Sequence, residues 1–329
     1  MVITQTPLRL SFAGGGTDLA DFYEREPGCV TSASIDKYIF VIIKERFDEK
    51  IYINYSQKEI VDTVDEIEHA LVREALRMAG IERGVEITTL ADIPSEGSGL
   101  GSSSSVTVGL LNAFYSFIGD PKPLAVLAEQ ACQIEIDILG KPIGKQDQYA
   151  AAFGSLRHIR FLPDGNVEVE KLQMQNGTLR KFGSNILLFY TNKTRQADTI
   201  LSEQRANTNG KFAVLQRMRD QARQVKECLE KGDIDCVGEI MHEGWELKKS
   251  LASKITNPEI DAMYEKARRA GALGGKVAGA GGGGFLMLYV PREKQNAVRA
   301  SLADYRELPF MLDREGTKVV FNYRRYDAK

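Results

Sequence analysis

The sequence predicts a chain of mixed helices and strands built around two cores. Three observations point there. The length of 329 residues exceeds one average domain and falls short of three. Apolar residues make up 43% of the chain, enough for well-formed interiors. Strand-like and helix-like patterns alternate throughout, with no internal repeat and no low-complexity linker.

Residues 8–12, 35–46, 51–55 and 85–90 are rich in β-branched and aromatic side chains and are broken by polar turns, the pattern of strands. Over 65–79, Ile67, Ala70, Leu71, Ala75 and Met78 fall at helical spacing, and Gly80 follows as a C-terminal cap. A second helix is expected over 103–118, with Val106, Leu110, Leu111, Phe114 and Phe117 on one face. A third is expected over 123–139, opening on Pro123 and ended by Gly140. Residues 156–161 and 167–172, joined by Pro-Asp-Gly-Asn, read as a hairpin. A buried strand over 186–190 precedes a largely helical stretch over 195–251. The chain then alternates: helix 258–270 behind an Asn257 cap, strand 285–290, helix 293–305 and strand 319–323. A boundary near residue 180 divides it into 1–180 and 181–329.

Composition removes several function classes. The 43 basic and 45 acidic residues leave a formal charge of −2, with no excess field to attract nucleic acid or an anionic membrane. The longest apolar runs, such as Tyr38-Ile-Phe-Val-Ile-Ile43, are far below the roughly 20 residues that span a bilayer. A soluble, cytoplasmic protein is expected. Cys29, Cys132, Cys228 and Cys236 form no C-x-x-C pair and read as ordinary buried thiols.

Two glycine-rich segments carry chemistry. Pro94-Ser-Glu-Gly-Ser-Gly-Leu-Gly-Ser-Ser-Ser-Ser105 lies between a strand and an amphipathic helix. Glycines allow close backbone approach and a helix N-terminus offers free N–H groups, so a phosphate fits there. The serines either cap the helix or ligate a magnesium ion that bridges phosphates. The second segment, Lys276-Val-Ala-Gly-Ala-Gly-Gly-Gly-Gly-Phe285, contains Gly279-x-Gly281-x-x-Gly284. A dinucleotide fingerprint needs a strand before and a helix after, whereas here a helix is expected before and a strand after. An NAD-dependent oxidoreductase is therefore disfavoured. No Walker P-loop, no H-R-D catalytic loop and no G-x-S-x-G elbow occurs, and His69, His158 and His242 sit in structural contexts.

Together with Pro7-Leu-Arg-Leu-Ser-Phe-Ala-Gly-Gly-Gly-Thr-Asp-Leu19, these segments resemble in order the three motifs of the GHMP kinase superfamily. The resemblance spans nearly the whole chain. Gly140-Lys-Pro-Ile-Gly-Lys-Gln-Asp-Gln-Tyr149 and Gly14-Gly-Gly-Thr-Asp18 are most similar to the branch of bacterial D-glycero-D-manno-heptose 7-phosphate kinases, with L-fucose kinases next. The resemblance implies an α+β fold, with a ribosomal protein S5 domain 2-like N-terminal domain, a ferredoxin-like C-terminal domain and the active site between them. It implies ATP as co-substrate, Mg2+ as cofactor and a sugar phosphate as acceptor, and leaves a homodimer open.

Residue by residue, it implies Asp147 and Arg9 as catalytic, with Asp147 accepting the proton of the anomeric hydroxyl or orienting that hydroxyl. Gly97, Gly99, Leu100, Gly101, Ser102, Ser103 and Ser104 would hold ATP, and Ser103 and Glu135 the metal. Gly15, Gly16, Thr17, Asp18, Gly281 and Gly282 would face the acceptor. Galactokinases carry Glu-His where this chain has Gly15-Gly16, which leaves room for a longer sugar. The phosphate of such a sugar needs cationic partners, for which Lys145 and Arg195 are the candidates. A non-catalytic sugar sensor is the rival from another class, disfavoured because Arg9, Ser103, Glu135 and Asp147 are all present.

Overall fold

The computed structural model describes residues 1–94, 97–193 and 197–323. Strands β1 (Val2–Ala13), β2 (Gly28–Glu45), β3 (Ile51–Asn54), β4 (Lys58–Val61) and β5 (Val85–Ala91) form the body of the first sheet, with α1 (Ala20–Tyr23) and α2 (Ala70–Ala79) between them. β2 is long enough to serve two partners. Residues 39–45 pair with β5, and residues 28–33 pair with β6 (Leu156–Phe161), which continues through a hairpin to β7 (Val167–Lys171). Helices α3 (Ser102–Ile118), α4 (Leu124–Cys132) and α5 (Gln146–Phe153) lie between β5 and β6 in the chain, and α3 and α5 pack on β1 and β2.

After α6 (Asn176–Ser184) comes β8 (Ile186–Tyr190), then α7 (Ala197–Asn207), α8 (Phe212–Lys231), α9 (Ile234–Lys249) and α10 (Pro258–Arg269). Strands β9 (Gly274–Val277) and β10 (Phe285–Tyr289) close a second, antiparallel sheet in the order β8-β10-β9. Both faces of that sheet are buried. Phe285, Met287 and Tyr289 join the core of the first sheet, while Leu286 and Leu288 join a separate core with Trp245 and Tyr264. Double burial is why this strand reads as an unbroken apolar run. Residues 306–308 hydrogen-bond to β8 where a fourth strand would lie, and α11 (Gln295–Ser301) precedes them.

The last strand, β11 (Lys318–Asn322), pairs with β1 at the edge of the first sheet. The expected 181–329 unit therefore gives up its end to the first sheet, and residue 180 falls inside α6. Other expectations also shift. The helix expected over 65–79 starts at Ala70, because the buried Glu59 accepts the Glu68 and His69 N–H groups and holds a turn there. The third helix changes at Gln133–Ile138 into a π-helical turn. The helix expected before the second glycine-rich segment is α10, and a short strand that was not expected, β9, runs from it into the start of that segment. Cys228 and Cys236, expected as free thiols, are joined in a disulfide, since the turn at Gly232 sets α8 beside α9 with the two Cα atoms 6.2 Å apart. Cys29 and Cys132 are buried and free. No helix among the described residues is long and apolar enough to cross a membrane.

The segment before β11 is fastened to the helix that carries Asp147. Thr317 N–H donates to the Ala151 and Ala152 carbonyls, and a Cβ added at Gly316 would stand 1.9 Å from the Ala152 oxygen, backbone against backbone. Gly316→Ala should therefore cost about 1–3 kcal/mol of stability through overpacking. Urea or thermal unfolding checks this. Unchanged stability would mean that the segment shifts freely over α5.

Candidate functional site

A cavity of about 660 Å3 lies between the first sheet and the second unit. One wall is built from β1, the 97–104 loop and the start of α5; the other comes from α7, the end of α9 and the glycine-rich loop after β9.

Its centre is an ion pair. Arg9, 3% exposed on the side chain, donates Nε to Asp147 Oδ1 at 2.8 Å and Nη2 to Asp147 Oδ2 at 2.7 Å. Its Nη1 donates to the Gly99 carbonyl at 2.7 Å, and its backbone N–H to the Leu100 carbonyl. The guanidinium fork matches the carboxylate bidentately, so the carboxylate's direction is fixed as well as its position. Asp147 stands in the first turn of α5, where the helix dipole favours negative charge.

The 97–104 loop turns into α3 through Gly101, and no side chain caps that helix. The capping role open to the serines is therefore not taken, and the first N–H groups face the cleft. Ser98 and Ser102 share a hydrogen bond within the loop. The second glycine-rich loop touches the first at Gly284, where a Cβ would lie 2.5 Å from the Ser98 oxygen and 2.6 Å from that of Gly97. Only glycine admits so close an approach at its φ of +83°.

Beside α3, Ser103 donates its hydroxyl to Glu135 Oε1 at 2.6 Å. Glu135 is fully buried on the π-helical turn and accepts from Gln148 Nε2 at 2.9 Å. The Lys141 ammonium reaches both groups, at 2.8 Å from Ser103 Oγ and 3.1 Å from Glu135 Oε1. A cation thus already sits against the bonded serine oxygen and carboxylate, and a hard divalent ion suits such oxygen donors. No group of three or more His, Cys, Asp or Glu able to hold a metal occurs among the described residues, so phosphate oxygens would have to complete the coordination.

On the acceptor side, Asp18 accepts from the Gly16 N–H at 2.8 Å and the Gln146 N–H at 3.3 Å. Burial raises its pKa and the charge of Asp147 adds to this, against the lowering by the Gly16 N–H. Gly15 and Gly16 line the cavity with it.

Several residues expected at the site lie elsewhere. Thr17 is fully buried and bonded to Gly14 and Cys29, which fixes the loop. Leu100 is buried behind the phosphate loop. Gly281 and Gly282 pack against Ile255, and the loop meets the cavity through Gly279 and Ala280. The Lys145 ammonium donates to the Gly165 carbonyl and lies 5.0 Å from the centre of the Tyr23 ring, outside the main cavity. Arg195 lies outside the described residues. Lys141, Lys248 and Lys276 line the cavity and were not anticipated. Lys141 and Lys276 fall inside the quoted motifs, but lysines beside glycine runs read as solvated charges. The three histidines lie outside the cavity lining. His158 shares a 2.9 Å hydrogen bond with Thr31, and burial lowers its pKa to about 4.

Residues 63–155 match the GHMP kinases N terminal domain and residues 225–307 match GHMP kinases C terminal. The chain is 31% identical, over 96% of its length and 97% of the relative's, to a D-glycero-alpha-D-manno-heptose 7-phosphate kinase of Campylobacter jejuni. The chain belongs to the GHMP kinases. It is also 28% identical over 90% of its length to an L-fucokinase/L-fucose-1-P guanylyltransferase of Bacteroides fragilis, of which the match covers 35%. Among solved structures, a D-glycero-D-manno-heptose 1-phosphate kinase from Bacteroides thetaiotaomicron superposes with a TM-score of 0.83 and 28% identity, over 98% of this chain and 100% of that one. The α+β fold is that of the GHMP kinases, and the protein is an ATP-dependent kinase of this family.

Proposed function

We propose that this GHMP kinase transfers the γ-phosphoryl group of ATP to the anomeric hydroxyl of D-glycero-D-manno-heptose 7-phosphate, giving the 1,7-bisphosphate and ADP. The observation that carries the reading is the Arg9–Asp147 pair, held in one cavity with the 97–104 glycine loop and the Gly15 to Asp18 turn. The heptose acceptor is supported by identity to the Campylobacter jejuni relative along nearly both full chains, and by the heptose kinase among the structural neighbours. L-fucose is the second acceptor, favoured by the Bacteroides fragilis relative.

In this reading the uncapped N–H groups of α3 and the 97–104 backbone take the ATP phosphates. Ser103 and Glu135 would hold magnesium, which, when bound, neutralises charge on the phosphates. Asp18 accepts a hydroxyl of the sugar. Asp147 accepts the hydrogen bond of the attacking hydroxyl and then its proton, while Arg9 holds both carboxylate oxygens in register. The new bond runs from the sugar oxygen to the γ-phosphorus, and the bond to the β–γ bridging oxygen breaks, releasing ADP. A non-catalytic sensor would need none of this convergence.

ATP consumption by the purified protein, measured against heptose 7-phosphate, unphosphorylated heptose, hexoses and L-fucose, tests the reading. The heptose 7-phosphate should give the highest kcat/KM. Absence of turnover with every sugar would turn the case toward a sensor. Asp147→Asn should lower kcat by roughly 10² to 10⁴, the usual worth of a positioned proton acceptor, with ATP binding nearly intact. A kcat within a few-fold of wild type would remove Asp147 from the reaction.

Glu135→Gln should raise the magnesium concentration needed for half-maximal rate, since a neutral amide replaces an anionic ligand. Ser103→Ala should act in the same direction, more weakly. Magnesium titrations of both variants decide this; curves that overlay wild type would mean that the nucleotide alone holds the ion.

A further inference from the structure

Lys276 is a buried cation for which the proposed reaction has as yet no use. It is 6% exposed, on the short strand β9, and its side chain lines the cavity. Among the described residues its ammonium has no hydrogen-bond or ion-pair partner, in contrast to the neighbouring lysines. Lys141 is bound to Ser103 and Glu135, Lys145 to the Gly165 carbonyl, and Lys248 to the carbonyls of Val277 and Gly279. The charges that Lys276 feels are those of Arg9 and Asp18. Burial, and then Arg9, lower its pKa to about 8, with Asp18 opposing.

An unpaired ammonium next to a guanidinium is unfavourable unless an anion arrives between them. Position decides which anion. Arg9 grips Asp147 and so marks the end of the cleft where the acceptor hydroxyl reacts, whereas a phosphate on carbon 7 of a heptose lies at the far end of the sugar. We infer that Lys276 is a catalytic residue of the transfer step, its ammonium binding the oxygens of the phosphoryl group as it passes from ATP to the acceptor. Lys276 neither gives nor takes a proton in that step. The acceptor proton goes to Asp147, and the phosphorus exchanges the ADP oxygen for the sugar oxygen. The inference rests on phosphoryl transfer in this cleft and is independent of which sugar accepts.

Lys276→Met and Lys276→Arg test it, with heptose 7-phosphate and L-fucose as acceptors and slow MgATP hydrolysis without a sugar as a third measure. Removing one stabilising cation should lower kcat of Lys276→Met by about 10²-fold to 10³-fold. KM for ATP and for the sugar should stay within about threefold, and Lys276→Arg should recover at least about tenfold of the loss. The kcat/KM of wild type should fall as pH rises through about 8, the value for Lys276 in the ligand-free cleft. That limb should vanish in Lys276→Met and move to higher pH in Lys276→Arg. The other charged groups on the walls are Arg9, Asp18, Asp147, Asp198, Lys141 and Lys248. Thermal unfolding separates a structural role: Lys276→Met removes a buried unpaired charge and should melt no lower than wild type. Three results would overturn the inference: an unchanged kcat in Lys276→Met, a loss confined to KM for the phosphorylated sugar, or a kcat loss that tracks a lowered melting temperature. Failure of wild type on heptose 7-phosphate, with a Lys276→Met defect on L-fucose or on MgATP alone, would reject the acceptor and keep the role of Lys276.

Discussion

The site depends on how one buried guanidinium is satisfied. Arg9 comes from the first strand, yet its partners lie 90 and 138 residues further along the chain, at Gly99 and Asp147. A buried charge that loses a partner costs several kcal/mol, so the three segments are energetically one unit. The 97–104 loop cannot move without freeing Nη1, and α5 cannot move without freeing Nε and Nη2. The same contacts that orient the carboxylate therefore also set the height of the phosphate loop above it.

The second wall is placed by packing. β10 gives alternate side chains to the two cores, so the glycine-rich loop between β9 and β10 is held from both sides. Its contact with Ser98 and Gly97 through Gly284 fixes the distance between the walls. The chain closes the arrangement by returning β11 to β1 and by laying residues 315–317 across α5. Division by sequence position consequently describes this fold poorly, since α8 and α9 also contribute Ala222, Val225 and Val237 to the core of the first sheet.

Much of this was legible in the residues. Strand-like and helical spacing placed β5, α3 and the β6–β7 hairpin, but only residues 8–12 of β1 and 35–45 of β2, whose remaining residues 2–7 and 28–34 were not read as strand. Failures came where tertiary contacts override local pattern. The start of α2 is set by Glu59 from another strand, and β9 has one β-branched residue in Gly-Gly-Lys-Val and exists only as partner to β10. At the site, Arg9, Ser103, Glu135 and Asp147 were readable through motif order; they form two bonded pairs, and Arg9, Ser103 and Asp147 line the cavity while Glu135 is buried behind Ser103. Thr17 and Lys145 lie in the same motifs, but bond to backbone away from the cavity. Motif membership cannot separate a side chain that faces a ligand from one that braces the loop carrying it.

Lys276 shows the converse. Nothing in its sequence neighbourhood marks it as more than a solvated charge, because its burial comes from the pairing of β9 with β10 and from the wall opposite. Its energetics nevertheless oppose the fold at neutral pH. The folded-state pKa is depressed to about 8, below the value near 10.4 expected in an unfolded chain. Below about pH 8 both states hold the proton and the penalty is fully present. As pH rises from 8 toward 10.4 the unfolded chain binds more protons than the folded one, so stability grows and the penalty is relieved. At neutral pH the fold thus holds a charge that it would be more stable without. An anion in the cleft offsets that cost, and the anion best placed to do so is the one held beside Arg9. Strain of this kind is what a site built to stabilise passing charge would retain, whereas a lysine serving only the fold would have found a carbonyl, as Lys145 and Lys248 do.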